Sequence, residues 1–309
     1  VAPVFVDGPV RVSVPATSAN LGPGYDTLGL ALDLRDELEG EVLASGLEVQ
    51  VTGAGEGTVP LDESHLVVRS MRAAFTVLGE QPPGLRLTCH NVVPHARGLG
   101  SSSAAIVGGL VLARTLVTDG AARLPDDALV DLASRIEGHP DNVAPALLGG
   151  FVVAGADEVP AGEEPHFFAI RGSVDPRIGV VVLVPPTPVS TEAARGLLPA
   201  EVPHADAAAN SGRAALLVAA LTARPDQLLR ATRDVLHQEY RRPAMPESLA
   251  LIDRLRAEGV PAIVSGAGPT VLAFVDAADE VGIRRVLDTA PDGWWATRLA
   301  VDLRGALVV

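Results

Sequence analysis

HARGLGSSSAAIVGG, residues 95–109, sets two glycines and three consecutive serines ahead of small apolar residues at helical spacing. Gly98 and Gly100 let the backbone turn tightly and approach a ligand with no Cβ in the way. The first amides of the helix that follows lack intrahelical acceptors and carry the positive end of its dipole. Residues 98–103 therefore suit an anion such as phosphate, with Ser101, Ser102 and Ser103 offering hydroxyls. No lysine follows, so this is not the G-x-x-x-x-G-K-[ST] loop, and it also lacks the G-x-S-x-G elbow of a hydrolase. Read alone, the stretch also fits a glycine loop with serine N-caps on a tightly packed helix.

Upstream of the loop, strands and helices alternate. VRVSV at 10–14 puts Val10, Val12 and Val14 on one face. EVLASGLEVQVT at 41–52 reads as a hairpin around Ser45-Gly46, with Leu47, Val49 and Val51 inward. Leu66, Val67, Met71, Ala74, Phe75 and Leu78 form a helical stripe over 64–78 that stops at Gly79. LRLTCH at 85–90 alternates again. A helix is expected over 101–116, and another over 126–137 with Pro125 in its first turn. Downstream, GVVVLV at 179–184 is a buried strand, and three or four helices follow between 187 and 257. PAIVSGAGPTVLAFV at 261–275 is strand, glycine loop, strand; a helix near 278–288 and a strand at 297–303 close the chain. GADEVPAGEEP at 155–165 is rich in Gly, Pro and acid and marks a boundary. The order predicts two α+β domains, 1–160 and 161–309.

The 309 residues carry a formal net charge of −14, with 48% hydrophobic and 3% aromatic residues. That charge argues against a nucleic-acid face, which needs a basic stripe. All 24 basic residues are arginine. Cys89 is the only cysteine, which excludes an intrachain disulfide and a cysteine zinc cluster and fits a reducing cytoplasm. No basic-then-apolar leader and no apolar run of membrane-spanning length occurs, so no membrane partner is expected.

Three further stretches flank the loop in order: PATSANLGPGYDTLGLAL at 15–32, EGHPDNVAPALLGG at 137–150 and SGAGPT at 265–270. With all four in place, the chain resembles the GHMP small-molecule kinases over nearly its whole length. The P-A-T-S-A-N-L-G-P-G-Y-D opening and the H-P-D-N-V-A-P run make it similar to their homoserine kinase branch. The resemblance implies a ribosomal-S5-domain-2-like N-terminal domain and a ferredoxin-like C-terminal domain, with ATP and Mg2+ in the cleft between them. It implies phosphoryl transfer to the side-chain hydroxyl of L-homoserine, on the route to threonine, by a homodimer. A GHMP kinase for another small alcohol, or a catalytically silent relative, are the alternatives.

The resemblance also assigns residues. ATP phosphates fall on Pro94, His95, Ala96, Arg97, Gly98, Leu99, Gly100, Ser101, Ser102, Ser103 and Ala104. Ser102 and Glu137 match the metal positions, and with Asn142, close to the reacting hydroxyl, they form the catalytic set. Homoserine carries an ammonium, a carboxylate and a hydroxyl. Asp26 is expected to hold the ammonium, Arg195 and Arg241 the carboxylate through their planar forks, and Asn20, His139, Asn142 and Thr191 the remainder. Arg242 is an alternative to Arg241. Thr191 and Arg195 share a helical face at i, i+4. Asp141 is expected to be structural, paired with an arginine or a backbone amide, rather than a general base. Ser265, Gly266 and Gly268 are expected to buttress the phosphate loop.

Overall fold

A computed structural model describes residues 4–160 and 162–309. In chain order the elements are β1 (Val10–Ala19), β2 (Leu28–Leu43), β3 (Gly46–Gly53), α1 (Leu66–Leu78), β4 (Gly84–Asn91), α2 (Ser101–Thr115), α3 (Gly120–Arg123), α4 (Asp126–Glu137), α5 (Pro140–Leu148), β5 (Phe151–Ala156) and β6 (Phe167–Gly172). There follow β7 (Ile178–Val184), α6 (Thr191–Gly196), α7 (His204–Thr222), α8 (Leu228–Ala231), α9 (Pro246–Ala257), β8 (Ala262–Val264), β9 (Val271–Asp276), α10 (Glu280–Leu287), β10 (Trp295–Leu299) and β11 (Leu307–Val308). Among the described residues no helix is long and apolar enough to cross a membrane.

The strands form two sheets. The first has seven strands: β11-β1-β2-β4-β3 in order, with β5 pairing the start of β2 and β6 pairing β5. The second runs β10-β7-β9-β8, all antiparallel. Numbered within that half, this is the 4-1-3-2 order of a ferredoxin-like unit.

The predicted hairpin at 41–52 does not form. β4 lies between β2 and β3, antiparallel to the first and parallel to the second. Leu85, Leu87 and Cys89 of β4 are fully buried, whereas β3 alternates between exposed and half-buried. The more apolar strand takes the interior position, and α1 supplies the crossover that a parallel pair needs. The expected domain division at 160/161 also differs from sheet membership, because β6 adds to the first sheet along β5 and β11 returns to it beside β1. The change of sheet falls between β6 and β7. The strand predicted at 297–303 ends at Leu299, beyond which Val301 keeps an isolated bridge to Leu32. Pro125 caps α4 from outside rather than entering its first turn.

The α1 stripe buries Val67, Met71, Ala74, Phe75 and Leu78, and Gly79 ends it at φ 98°. These side chains pack with α2, α4 and α5 on the first sheet. A second apolar cluster spans both halves: Leu21, Leu28, Leu30 and Leu32 of the first meet Val180, Val182, Leu217 and Phe274 of the second. The third lies between the second sheet and α9 and α10. The cluster between the halves matters most for function, because it sets one half against the other around a cleft.

The chain end is fastened by a nearly buried ion pair. Arg35 Nη1 donates to Asp302, while its Nη2 donates to Ser13 O at 2.8 Å and Gly305 O at 2.7 Å. The other carboxylate oxygen of Asp302 accepts from the amides of Arg304 and Gly305, both at 2.8 Å. Asp302→Ala leaves the Arg35 charge without its partner and is expected to lower unfolding free energy by about 3 kcal/mol. Urea titration of both proteins by circular dichroism measures this; a loss under about 1 kcal/mol contradicts it.

Candidate active site

The glycine-serine loop, 94–100, runs from β4 into α2. At its base Asp36, 4% exposed, accepts from the amides of Val92 at 2.7 Å and Val93 at 2.9 Å. Burial raises the Asp36 pKa to about 6, against the pull of those two amides. Gly98 and Gly100 stand at φ 72° and 70°. A Cβ on Gly98 would lie 2.2 Å from Ser265 O, and one on Gly100 would lie 1.9 Å from Thr17 Oγ1. Neither position admits a side chain. The SGAGPT turn does buttress the loop: Ser265 Oγ donates to Gly98 O at 2.6 Å, and Thr270 N donates to Arg97 O at 3.3 Å.

Two cavities of about 300 Å³ each meet at Ser101 and Ser102. The β2-side cavity is lined by Asp36, Val59, Pro60, His65, Asn91, His95 and Ala104 among others. Burial lowers the pKa of both His65 and His95, so these rings are neutral at pH 7. The α5-side cavity is lined by Asn20, Ala96, Gly98, Gly100, Glu137, His139, Asp141, Asn142, Thr191, Arg195, Arg241 and Gly266.

The loop residues predicted from sequence separate into distinct surroundings. His95 and Ala104 face the β2-side cavity, and Ala96, Gly98 and Gly100 the α5-side one. Leu99 is fully buried in the core between the two halves. Ser103 is buried with its Oγ 3.2 Å from Glu137 Oε1. Pro94 and Arg97 line neither cavity. The Arg97 side chain points to backbone carbonyls instead, away from both cavities, so its expected role at a phosphate falls to its main chain alone.

Glu137 ends α4, Gly138 turns the chain at φ 93°, and Pro140 opens α5 at its first position. This short link brings Glu137, His139 and Asn142 to one wall. Ser102 Oγ donates to Glu137 Oε1 at 2.7 Å. Among the described residues Glu137 has no arginine partner. Asn142 Oδ1 accepts from Thr17 Oγ1 at 2.8 Å, which leaves its NH2 for the cavity. Asp141, 1% exposed, pairs with His139 Nδ1 at 2.7 Å rather than with an arginine or backbone amide. Burial opposes the charged form of His139, but the hydrogen bond and charge of Asp141, with Glu137 adding, outweigh it and raise its pKa.

Across the cavity, α6 begins at Ser190, whose Oγ accepts from Ala193 N at 3.1 Å. Arg195 reaches back from this helix: Nη2 donates to Asp26 Oδ1 at 2.6 Å, and Nη1 to Asp26 Oδ2 at 3.1 Å and to Tyr25 Oη at 2.8 Å. The residues predicted to hold opposite ends of one substrate thus hold each other. Arg241 is 1% exposed, with Nη1 on Gly266 O at 3.0 Å and Nε without a partner. Arg242 instead pairs with Glu239 and Asp253 at the surface. The cavity therefore receives Arg241. Asn20 uses both ends of its amide internally, donating to Gly266 O and accepting from Asp26 N, each at 2.9 Å. It shapes the cavity wall.

Besides Asp36, two residues escaped sequence reading. Tyr25 stacks under both arginines, whose guanidinium carbons lie 5.5 Å and 5.8 Å from its ring centre. His237 is fully buried; Nε2–H donates to Gly22 O at 2.7 Å, and Nδ1 accepts from Arg241 Nη1 at 3.1 Å. Burial keeps it neutral. Its spacing of four from Arg241 was the available signal. Cys89 is buried in β4, and burial followed by the nearby Asp36 charge pushes its thiol to about 12, so it is not a nucleophile.

Residues 65–150 match the GHMP kinases N-terminal domain and residues 210–291 the GHMP kinases C-terminal domain. The chain is 57% identical to homoserine kinase of Streptomyces coelicolor over 309 residues, covering 99% of this chain and 96% of that one. It belongs to the GHMP kinases, in their homoserine kinase branch. The Streptomyces avermitilis homoserine kinase is 56% identical, with 99% and 98% covered. The crystal structure of homoserine kinase from Cytophaga hutchinsonii superposes with a TM-score of 0.80 at 24% identity, covering 99% of this chain and 100% of that one, which shows the shared two-domain fold.

The His139–Asp141 contact gives this GHMP kinase a pH signature. Because the folded-state pKa of His139 is raised, the stability its protonated form contributes is fully present below the ordinary histidine value. It is lost as pH rises through the raised value. His139→Gln is expected to melt below wild type at about pH 5.5 and level with it at about pH 9. Thermal melts across that range measure the gap; a gap that widens toward alkaline pH contradicts the assignment.

Proposed function

We propose that this enzyme phosphorylates the side-chain hydroxyl of L-homoserine with ATP, forming O-phospho-L-homoserine for threonine synthesis. The observation carrying the reading is the α5-side cavity. Arg195 and Arg241 line it, each against the Tyr25 ring, with Asp26 behind as the ion-pair partner of Arg195, and only a zwitterionic substrate needs both an anion and paired guanidinium groups. A neutral sugar or alcohol has no use for that set.

In this reading the nucleoside occupies the β2-side cavity. The triphosphate crosses Ser101 and Ser102 at the start of α2, where free amides and the helix dipole meet it. Homoserine enters the other cavity. Its ammonium takes Asp26 and its carboxylate takes Arg195 and Arg241, so the internal Asp26–Arg195 pair is exchanged for two pairs with the substrate. The Arg241 Nε without a partner is one donor awaiting that carboxylate. The Asn142 NH2 orients the acceptor hydroxyl toward the γ-phosphorus, and His139, steered by Asp141, completes that wall. The hydroxyl oxygen forms its bond to phosphorus as the bridging bond to ADP breaks, and its proton passes late to an oxygen of the transferred phosphoryl group or to water. A loose transition state needs little early deprotonation, which agrees with Asp141 being engaged by His139 rather than poised as a base.

Mg2+ belongs to the same reading. Ser102 Oγ and Glu137 Oε1, 2.7 Å apart where the cavities join, provide a hydroxyl and a carboxylate that lacks an arginine partner. That donor set fits a cation that favours one or two carboxylates with phosphate oxygens and waters. Such an ion supplies charge neutralisation at the phosphates in the absence of a loop lysine. We extend the reading to a cytoplasmic homodimer: the free, buried Cys89 fits a reducing compartment, and light scattering after size exclusion reads the assembly.

ADP release with homoserine, against mevalonate and galactose as controls, tests the substrate. Turnover on homoserine alone is expected, and equal turnover on a control rejects the zwitterion argument. Arg195→Lys replaces a fork with a point charge and should raise the homoserine KM about tenfold; an unchanged KM removes Arg195 from the site. Ser102→Ala should lower kcat about a hundredfold with the homoserine KM within about threefold. Turnover near wild type overturns its metal role.

A further inference from the structure

Arg97 sits in the middle of the phosphate loop yet directs its side chain out of it. Nε donates to Pro185 O at 2.9 Å, Nη1 to His95 O at 3.0 Å and Nη2 to Pro186 O. The adjacent main chain makes the same connection, with Val189 N donating to Ala96 O at 3.1 Å. Residues 185–189 form the strap between β7 and α6, the helix that carries Thr191 and Arg195 to the α5-side cavity. The strap reads PPTPV. Its three prolines have no N–H, so they cannot fix the strap by donating hydrogen bonds. Carbonyls are what they offer, and the guanidinium fork gathers two of them together with one from its own loop. A planar group with donors at fixed angles makes a stiff bracket, which a flexible ammonium does not.

We infer that Arg97 is a positioning residue that links occupancy of the phosphate loop to the placement of Arg195. It touches neither substrate. Phosphates drawn to the amides at the start of α2 stiffen further a loop already braced by the Ser265–Gly268 turn. The loop holds the strap through Arg97, and the strap presents Arg195 to the incoming carboxylate. The consequence is a coupling free energy between the two sites, and it must be reciprocal: homoserine tightens nucleotide binding by the factor by which nucleotide tightens homoserine binding. The inference rests on the assignment of homoserine to the α5-side cavity.

The test is calorimetric titration of a non-hydrolysable ATP analogue with Mg2+, with and without saturating homoserine, on wild type, Arg97→Ala and Arg97→Lys. In wild type homoserine is expected to tighten the analogue about tenfold, and in Arg97→Ala that factor should fall to within about twofold of one. The analogue alone should bind Arg97→Ala within about threefold of wild type, while the homoserine KM rises about tenfold. Arg97→Lys, which keeps stem and charge but not the fork, should lose most of the coupling too, and it carries the test if the alanine variant does not fold. Three results overturn the inference: no coupling in wild type, full coupling in either variant, or an analogue affinity that collapses in the absence of homoserine. The last would make Arg97 a phosphate ligand. A failed bracket leaves the Arg195→Lys defect in homoserine KM intact, whereas a failed site assignment removes it.

Discussion

The contact between Gly98 and the Ser265–Gly268 turn is the constraint on which the rest of the molecule depends. At these points two main chains from different halves lie closer than any Cβ allows. The loop is held from both sides: Ser265 Oγ and Thr270 N act from the second half, while Asp36 and the amide of Thr17 act from the first, the latter donating to Leu99 O at 3.0 Å. In the proposed reading, a loop fixed in this way keeps its amides preorganised for an anion. Such donors need little rearrangement as charge develops, and this makes them effective without a cationic side chain.

The apolar cluster joining the halves supports that contact. Leu21, Leu30 and Leu32 pack against Val180, Val182 and Phe274 with almost no exposure. At roughly 25 cal/mol for each Å² of apolar surface buried, side chains of this kind contribute about 2 kcal/mol apiece, against hydrogen bonds worth about 1 kcal/mol each. The core therefore sets the relative position of the halves, and the hydrogen bonds refine the loop within it. The weaker attachments are at α6, a helix of six residues that buries only Ala194. An element held that lightly can adjust when Asp26 and Arg195 exchange each other for a substrate.

Much of the site was legible because its parts are local in sequence. The loop, the Glu137–Asn142 run and the GPGYD turn each lie within a few residues, so the fit of the loop to an anion follows from residue type and spacing, and the roles expected of Glu137, His139 and Asn142 from the motif resemblance. The α1 stripe, the buried run of β7 and the strand–turn–strand at 261–275 were readable for the same reason. The hairpin at 41–52 was misread because pairing is not a local property: Ser45-Gly46 permits a tight turn, but burial of Leu85, Leu87 and Cys89 decides that β4 takes the interior place. Tyr25 and Asp36 were missed because they act through partners far away in the chain, and His237 because only its pairing with Arg241 is local while its bond to Gly22 O is not.

Sequence alone determined the glycine turns ahead of a helix start and the alternating elements, since these depend on steric freedom at glycine, orphan amides or side-chain periodicity, while the class of chemistry came from the resemblance of four ordered motifs to the GHMP kinases. Tertiary structure alone decided which of two adjacent arginines enters the cavity, that Asp26 and Arg195 hold each other, and that the Arg97 side chain turns away from both cavities. Those outcomes depend on distances between segments far apart in the chain. Such distances are set by how the two cores pack together.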